Sequence, residues 1–437
     1  MLTFRFDLLS KPFSPSFSRN DFVNPQRYLI LRKINAMKFG VIREGKVPPD
    51  KRVPLTPAQC KMVLEQYPQA KIAVQPSSIR AFTDQEYQDA GIPLQEDLSD
   101  CDVLLGVKEV PVEMLLPAKD YMFFSHTYKQ QPYNRDLLRA ILNKKIRLID
   151  YEMLKDPHGR RLLGFGRYAG IVGAYNAFRA RGALTDAYQL KPAHQCYDRS
   201  ELEGELVKVQ LPENFRIALT GAGKVAAGAM EILSALKILH VFPPEYCREE
   251  FRGDAVFTQL DVRQYFQRED GAPFTRKEFF QNPQGYRSDF LRYARHTDLY
   301  IAGHFWGEGA PYLYSRADVR HPDFNIRLVS DISCDIDGPV ATTLRPSTIE
   351  APFYGYDPIT EKEVPFGAPG SVGVSAVDNL PCELPRDASE DFGNEWIKRV
   401  LPQFFNQDAQ SILAAASETT REGKLSPAFE YLSSYVD

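Results

Sequence analysis

Gly221, Gly223 and Ala226 stand in the order G-x-G-x-x-A, directly after the apolar run Ile217-Ala218-Leu219-Thr220 and ahead of the apolar stretch from Met230 to Leu239. Strand, tight turn and helix in that order can seat the pyrophosphate of a dinucleotide. Glycine at 221 permits the turn, glycine at 223 lets a phosphate approach the backbone, and a small residue at 226 lets helix and strand pack closely. Lys224 and Val225 open the helix, so the phosphates meet its positive end and its unpaired N–H groups. The same arrangement calls for an acid about 20 residues on, at the end of the next strand, to hold the ribose. Ile238-Leu239-His240-Val241-Phe242 reads as that strand, with Glu245 the nearest acid. Arg248 would instead face a 2′-phosphate, so NAD and NADP both stay open as cofactors.

The surrounding pattern is that of alternating strands and helices. Lys38–Arg43, Lys71–Gln75, Val103–Val107, Tyr121–Ser125 and Ile146–Asp150 read as short strands, separated by polar stretches of helical period. Thr56 and Pro57 mark a helix start as cap and first helical residue. The region from Arg216 through Leu299–Ala302 to Leu328–Ile332 alternates in the same way, which indicates βαβ units around parallel sheets. Small residues at helical spacing from Gly164 to Arg181 predict a helix packed closely on a neighbour. The interval from Glu245 to Arg295 is long, charged and aromatic, and it fits no simple pattern.

At 437 residues the chain is long for one core, and two domains are expected. Its 53 basic and 57 acidic residues give a net charge near −4, which asks for neither nucleic acid nor an anionic membrane. No apolar stretch approaches the ~20 residues that cross a bilayer. Six scattered cysteines form no short metal-binding or redox spacing, so no metal is expected and reduced thiols in the cytoplasm fit best. Residues 1–36 are basic, rich in Ser, Phe and Pro, and read as a poorly ordered extension, with an organellar leader as the alternative.

Several blocks resemble one family. Gly106–Pro111 (GVKEVP), Phe124–Lys129 (FSHTYK), Ile149–Glu152 (IDYE), Gly159–Gly170 (GRRLLGFGRYAG), Ser330–Asp335 (SDISCD) and Ser371–Ser389 occur in the order of the lysine-forming saccharopine dehydrogenases and the lysine–ketoglutarate reductases. Alanine dehydrogenase and the transhydrogenase N-terminal domains are wider relatives. The resemblance runs from Met37 to about Phe405. It implies an α/β chain with two Rossmann-like domains, parallel sheets and an interdomain active-site cleft. Residues 37–165 plus 373–437 would form the substrate domain and 166–372 the dinucleotide-binding domain. It further implies an NAD(P)-dependent oxidoreductase that interconverts saccharopine with L-lysine and 2-oxoglutarate by hydride transfer at a secondary amine.

Carried over residue by residue, the resemblance implies that Lys108 and His126 share acid–base work. Two groups of different pKa can divide the proton transfers at nitrogen and at a carbinolamine oxygen. Arg52, Arg161 and Phe165 match positions that hold the substrate, and Glu109 and Glu152 match acidic neighbours of its amine and of Lys108. Arg160, Asp331, Ile332, Ser333, Val377, Asp378, Asn379 and Leu380 match positions near the cofactor. The strand after the glycine turn lacks the aspartate of the lysine-forming branch. The block from Ser330 to Asp357 looks closer to the reductases, which use NADP. Two alternatives remain: an alanine-dehydrogenase-like enzyme with ammonia in place of lysine, and a nucleotide-binding regulatory protein without turnover. The expected partner is a small amino-acid substrate, and oligomeric state is not legible.

Overall fold

Met37-Lys38-Phe39-Gly40-Val41 is apolar enough to be buried on both faces, as a central parallel strand must be, and it forms β1. β2 (Ala70–Val74), β3 (Val103–Leu105), β4 (Asp120–Phe123) and β5 (Arg147–Asp150) join it in an all-parallel sheet ordered β2-β1-β3-β4-β5. The computed structural model describes residues 36–248, 251, 253–307 and 309–437; the expected extension, Ala36 apart, lies outside them. Between β1 and β2, Thr56 and Gln59 form a reciprocal capping box on the Pro57–Gln66 helix, which satisfies donors the helix start would leave unpaired. The chain reverses its direction of travel across the sheet between β1 and β3. In open α/β sheets such a switch point, outside the carboxyl ends of the strands, is where ligands bind.

A second sheet contains β6 (Arg216–Thr220), β7 (Leu239–His240) and β8 (Val256–Leu260). A separate antiparallel pair, β9 (Phe266–Arg268) and β10 (Tyr286–Ser288), follows in the chain. β11 (Leu299–Ala302), β12 (Leu328–Asp331), β13 (Phe353–Asp357), β14 (Lys362–Val364) and β15 (Val372–Ser375) complete the second sheet in the order β14-β13-β15-β12-β11-β6-β8-β7. From β15 to β7 it is parallel, but β13 is antiparallel to both β14 and β15. The sheet is thus parallel, as expected, with an antiparallel pair added at this edge. The turn between β13 and β14 is far too short for the crossover that parallel pairing needs.

The sheets are joined by the Gly166–Thr185 helix, which crosses the Lys224–Ala235 helix at very close range. A Cβ on Gly170 would meet the Val225 carbonyl oxygen at 1.9 Å, and one on Gly228 would meet that of Arg167 at 1.9 Å. This is the close packing that the small-residue spacing predicts. After β15 the chain returns to the first sheet. Phe392 and Trp396 of the Pro385–Arg399 helix share a core with Phe39 and Val41, and Trp396 meets the Phe39 ring edge-on at 5.7 Å. Met37–Asp437 is thus one compact unit carrying both sheets. Among the described residues no helix is long and apolar enough to cross a membrane.

Candidate active site

A parallel sheet delivers all its carboxyl ends to one side. The segments leaving β1, β3, β4 and β5 there carry Glu44, Lys108, His126 and Glu152. Glu44 accepts hydrogen bonds from the N–H groups of Val107 (2.6 Å) and Lys108 (2.9 Å), and so pins the turn that presents Lys108. Burial, then the nearby Asp50 charge, pushes the Glu44 carboxyl up to about 8 against those two bonds. Burial also pushes the Lys108 ammonium down from its usual value, helped by the positive charges of Arg52 and Lys46. That shift makes Lys108 readier to give up its proton than a solvated lysine is.

Glu109 binds Lys46 Nζ at 2.6 Å and His126 Nδ1 at 2.7 Å. Burial would raise its carboxyl, but the bonds from His126 and Lys46 outweigh that and hold it at about 2. An ionised Glu109 only accepts, so the proton of a neutral His126 is assigned to Nδ1 and the lone pair to Nε2. Nε2 lies 4.0 Å from Glu152, whose carboxylate also faces Lys129 at 3.4 Å, the Tyr128 hydroxyl and Arg161. Although burial opposes it, the Arg161 charge leads the groups that keep Glu152 below its ordinary value.

Arg52 is buried, and the structure occupies the edge expected to grip a substrate carboxylate. Its Nε and one terminal nitrogen bind Asp50 at 3.0 and 2.6 Å, and the same terminal nitrogen reaches Asn379 at 3.1 Å. Among the described residues only Nη1 is uncommitted. The guanidinium stacks 4.1 Å over Phe165, whose other face lies against Phe392 at 4.8 Å. Phe165 and Arg161 also line the next cavity, and they link the acid–base cluster to it.

That cavity, of about 520 Å³, runs along Gly221–Val225, the ends of β8 and β11, and Ile332 and Ser333. Gly221 has φ +108°, and a Cβ there would strike the Gly303 carbonyl oxygen at 2.4 Å, so only glycine fits. A Cβ on Gly223 would meet nothing within 4 Å, which leaves the backbone open to a phosphate at the start of the Lys224–Ala235 helix. These features fit a dinucleotide. Ala226 is buried under Gly303. Asp331 lies behind Ile332 and Ser333, bound to Thr343 at 2.7 Å, and burial raises its carboxyl to about 6.

Other expected cofactor positions fall elsewhere. Arg160 is exposed and pairs with Asp156 at 2.7 Å, outside the cavity lining. Glu245 caps its own short helix through the Phe242 N–H at 3.2 Å and is not among the lining residues. Val377 and Leu380 are core residues and Asp378 is exposed, whereas Asn379 reaches Arg52. Glu245 lies away from the cavity because β7 pairs over two exposed residues at the outer edge, while β8 lies beside the glycine-turn strand. The acid ending β8 is Asp261, and it lines the cavity. Glu44, Asp50, Lys46 and Asp261 all escaped sequence reasoning. Only Asp261 left a signal, as an acid closing the run Val256–Leu260.

Residues 40–172 match the family described as alanine dehydrogenase/PNT, N-terminal domain. The mitochondrial alpha-aminoadipic semialdehyde synthase of Bos taurus is 32% identical over 389 residues, covering 79% of this chain and 41% of that protein. The alpha-aminoadipic semialdehyde synthase of Arabidopsis thaliana is 29% identical over 405 residues, covering 83% and 38%. The chain therefore spans about two fifths of the length of these relatives. The saccharopine dehydrogenase [NAD(+), L-lysine-forming] of Schizosaccharomyces pombe is 25% identical over 382 residues, covering 82% of this chain and 91% of that protein. In fold, an L-alanine dehydrogenase superposes with a TM-score of 0.62 at 17% identity, over 92% of this chain and all of that one. Glycine turn, switch-point cluster and these likenesses agree, and together they support assignment of the chain to the saccharopine dehydrogenase and lysine–ketoglutarate reductase family, within the alanine dehydrogenase/transhydrogenase N-terminal superfamily.

Proposed function

We propose that the chain is a nicotinamide-nucleotide-dependent oxidoreductase that interconverts saccharopine with L-lysine and 2-oxoglutarate. The observation that carries the reading is the juxtaposition of Lys108, its ammonium pushed down by burial, with the Glu109–His126 pair, beside a cavity fit for a dinucleotide. A nucleotide held by Gly221–Val225 would supply a hydride acceptor for the carbon that bears the secondary amine. Lys108 takes the amine proton, so that the nitrogen lone pair can form the imine as the hydride leaves. His126 Nε2 takes a proton from the water that adds to the imine carbon. Return of a proton to nitrogen, and loss of one from the carbinolamine oxygen, releases lysine and leaves 2-oxoglutarate. With the Arg52 fork committed to Asp50, half-exposed Arg161 is the better grip for a substrate carboxylate.

The nucleotide we propose is NAD(H). Asp261 stands where the ribose acid belongs. Arg263 and Arg276 keep its carboxyl below the ordinary value despite its partial burial, so it is ionised, can accept ribose hydroxyls, and repels a 2′-phosphate. The two arginines favour a second reading, in which they grip that phosphate and Asp261 anchors them. Nucleotide fluorescence decides: wild type should bind NADH more tightly than NADPH, and Asp261→Ser should reverse the order. A wild-type preference for NADPH supports the second reading. The substrate is tested by absorbance of the reduced nucleotide with lysine plus 2-oxoglutarate, against pyruvate plus ammonia. Turnover of the second pair alone would replace this reading with an alanine-dehydrogenase-like one.

A further inference from the structure

His126 lies between two fully buried hydroxyl residues, Ser125 and Thr127, with its own backbone at φ +54°. A left-handed conformation at a non-glycine residue is uncommon and persists where its surroundings hold it. Here the surroundings include a row of oxygens. Glu418 Oε2 lies 2.6 Å from Thr127 Oγ1, which lies 2.6 Å from Ser125 Oγ, which lies 2.5 Å from Asp150 Oδ2. Glu418 Oε1 makes a longer approach to Ser125 Oγ at 3.1 Å. The Asp150 carboxyl also accepts from the N–H groups of Ser125 (2.8 Å) and Glu152 (2.6 Å). Among the described residues no cation pairs with Asp150 or Glu418.

Each of the three short O···O contacts needs one proton, and the two hydroxyls supply only two. The third must sit on a carboxyl. Both Asp150 oxygens already accept N–H bonds, and one accepts the Ser125 hydroxyl as well, so the remaining proton belongs on Glu418 Oε2. We propose that Glu418 is a neutral acid heading a one-directional chain, Glu418 to Thr127 to Ser125 to Asp150, and that this chain makes Glu418 the positioning residue for His126. The second half rests on the proton-transfer reading of His126.

Burial, and then the Asp150 charge, raises the Glu418 carboxyl to about 8, in keeping with the proton count. The groups facing it are Asp150 from β5, Ser125 and Thr127 from the segment after β4, and the phenols of Tyr431 and Tyr435. If Glu418 loses its proton, the Thr127 hydroxyl must turn to donate to it. The Ser125 and Thr127 oxygens then oppose each other with no proton between them, and the His126 turn loosens.

Infrared difference spectra of the full chain, wild type against Glu418→Gln at neutral pH, test the first half without any turnover. A protonated-carboxyl carbonyl band present only in wild type is expected; its absence overturns the neutral acid. In the turnover assay Glu418→Gln, whose amide can donate to Thr127, should keep kcat within about twofold and lose an alkaline decline. Thr127→Val should lower kcat roughly tenfold with KM little changed, and Thr127→Ser should restore it. Wild-type kcat and pH profile in a folded Thr127→Val overturn the positioning role. Should no substrate pair turn over at all, the functional reading falls while the infrared band still decides the protonation.

Discussion

Two glutamates, half-buried Glu44 and buried Glu418, meet the same substitution with opposite consequences, because what matters is which atoms face them. Both Glu44 oxygens accept backbone N–H groups that cannot turn away, and a glutamine there must aim its own N–H at one of them. Glu44→Gln should destabilise the chain by about 1–3 kcal/mol, the cost of an unsatisfied buried donor, in denaturant melts. Glu418→Gln should cost far less, because the hydroxyl facing it accepts as readily as it donates. Equal losses would contradict this account. At the reacting centre, His126→Gln removes the proton acceptor but keeps a side chain that Glu109 can hold. It should lower turnover about 10²-fold or more with nucleotide affinity retained; turnover near wild type would end the role assigned to His126.

At the scale of elements, the helix crossing is the least forgiving place. Gly170 and Gly228 bring the two helices so close that a methyl group on either would overlap a backbone carbonyl. Backbone cannot repack as a side chain can, so Gly170→Ala should cost about 3 kcal/mol or more, read as a lowered unfolding midpoint. A midpoint near wild type would mean that the crossing is looser than described. This crossing was legible because close helix packing demands small residues at helical spacing, and the sequence displays them. The strand beside β6 was not. Ile238–Phe242 has the composition of a strand at the usual distance from the glycine turn, yet it pairs over only two residues, and β8 takes the inner place after a further short helix. Pairing between strands far apart in sequence is decided by packing, which local composition does not record. For the same reason nothing in the local sequence marks Glu418, whose partner Thr127 is brought to it from far along the chain.

For the whole molecule, the cleft is bought with buried carboxyl groups, and their titration sets how its stability depends on pH. Glu44 and Glu418 are both raised from an ordinary 4.5 to about 8, so the folded chain keeps protons that the unfolded chain releases. Stability from such groups is complete below about pH 4.5, falls as pH rises, and has been lost once the folded values near 8 are passed. Glu109 has the opposite sign: held at about 2, it contributes fully above its unfolded value and loses that contribution as the solution becomes acid. The two trends together place the stability maximum on the mildly acid side of neutrality. The unfolding temperature of the full chain without nucleotide should decline between about pH 5 and pH 8.5, and Glu418→Gln should remove part of that decline by removing one of the groups behind it. A wild-type profile that is flat or rises across this interval would mean that both glutamates are already ionised at neutral pH. The same result would remove the proton from the head of the chain that steadies His126, so one calorimetric series tests both the energetics of the cleft and the protonation on which its geometry depends.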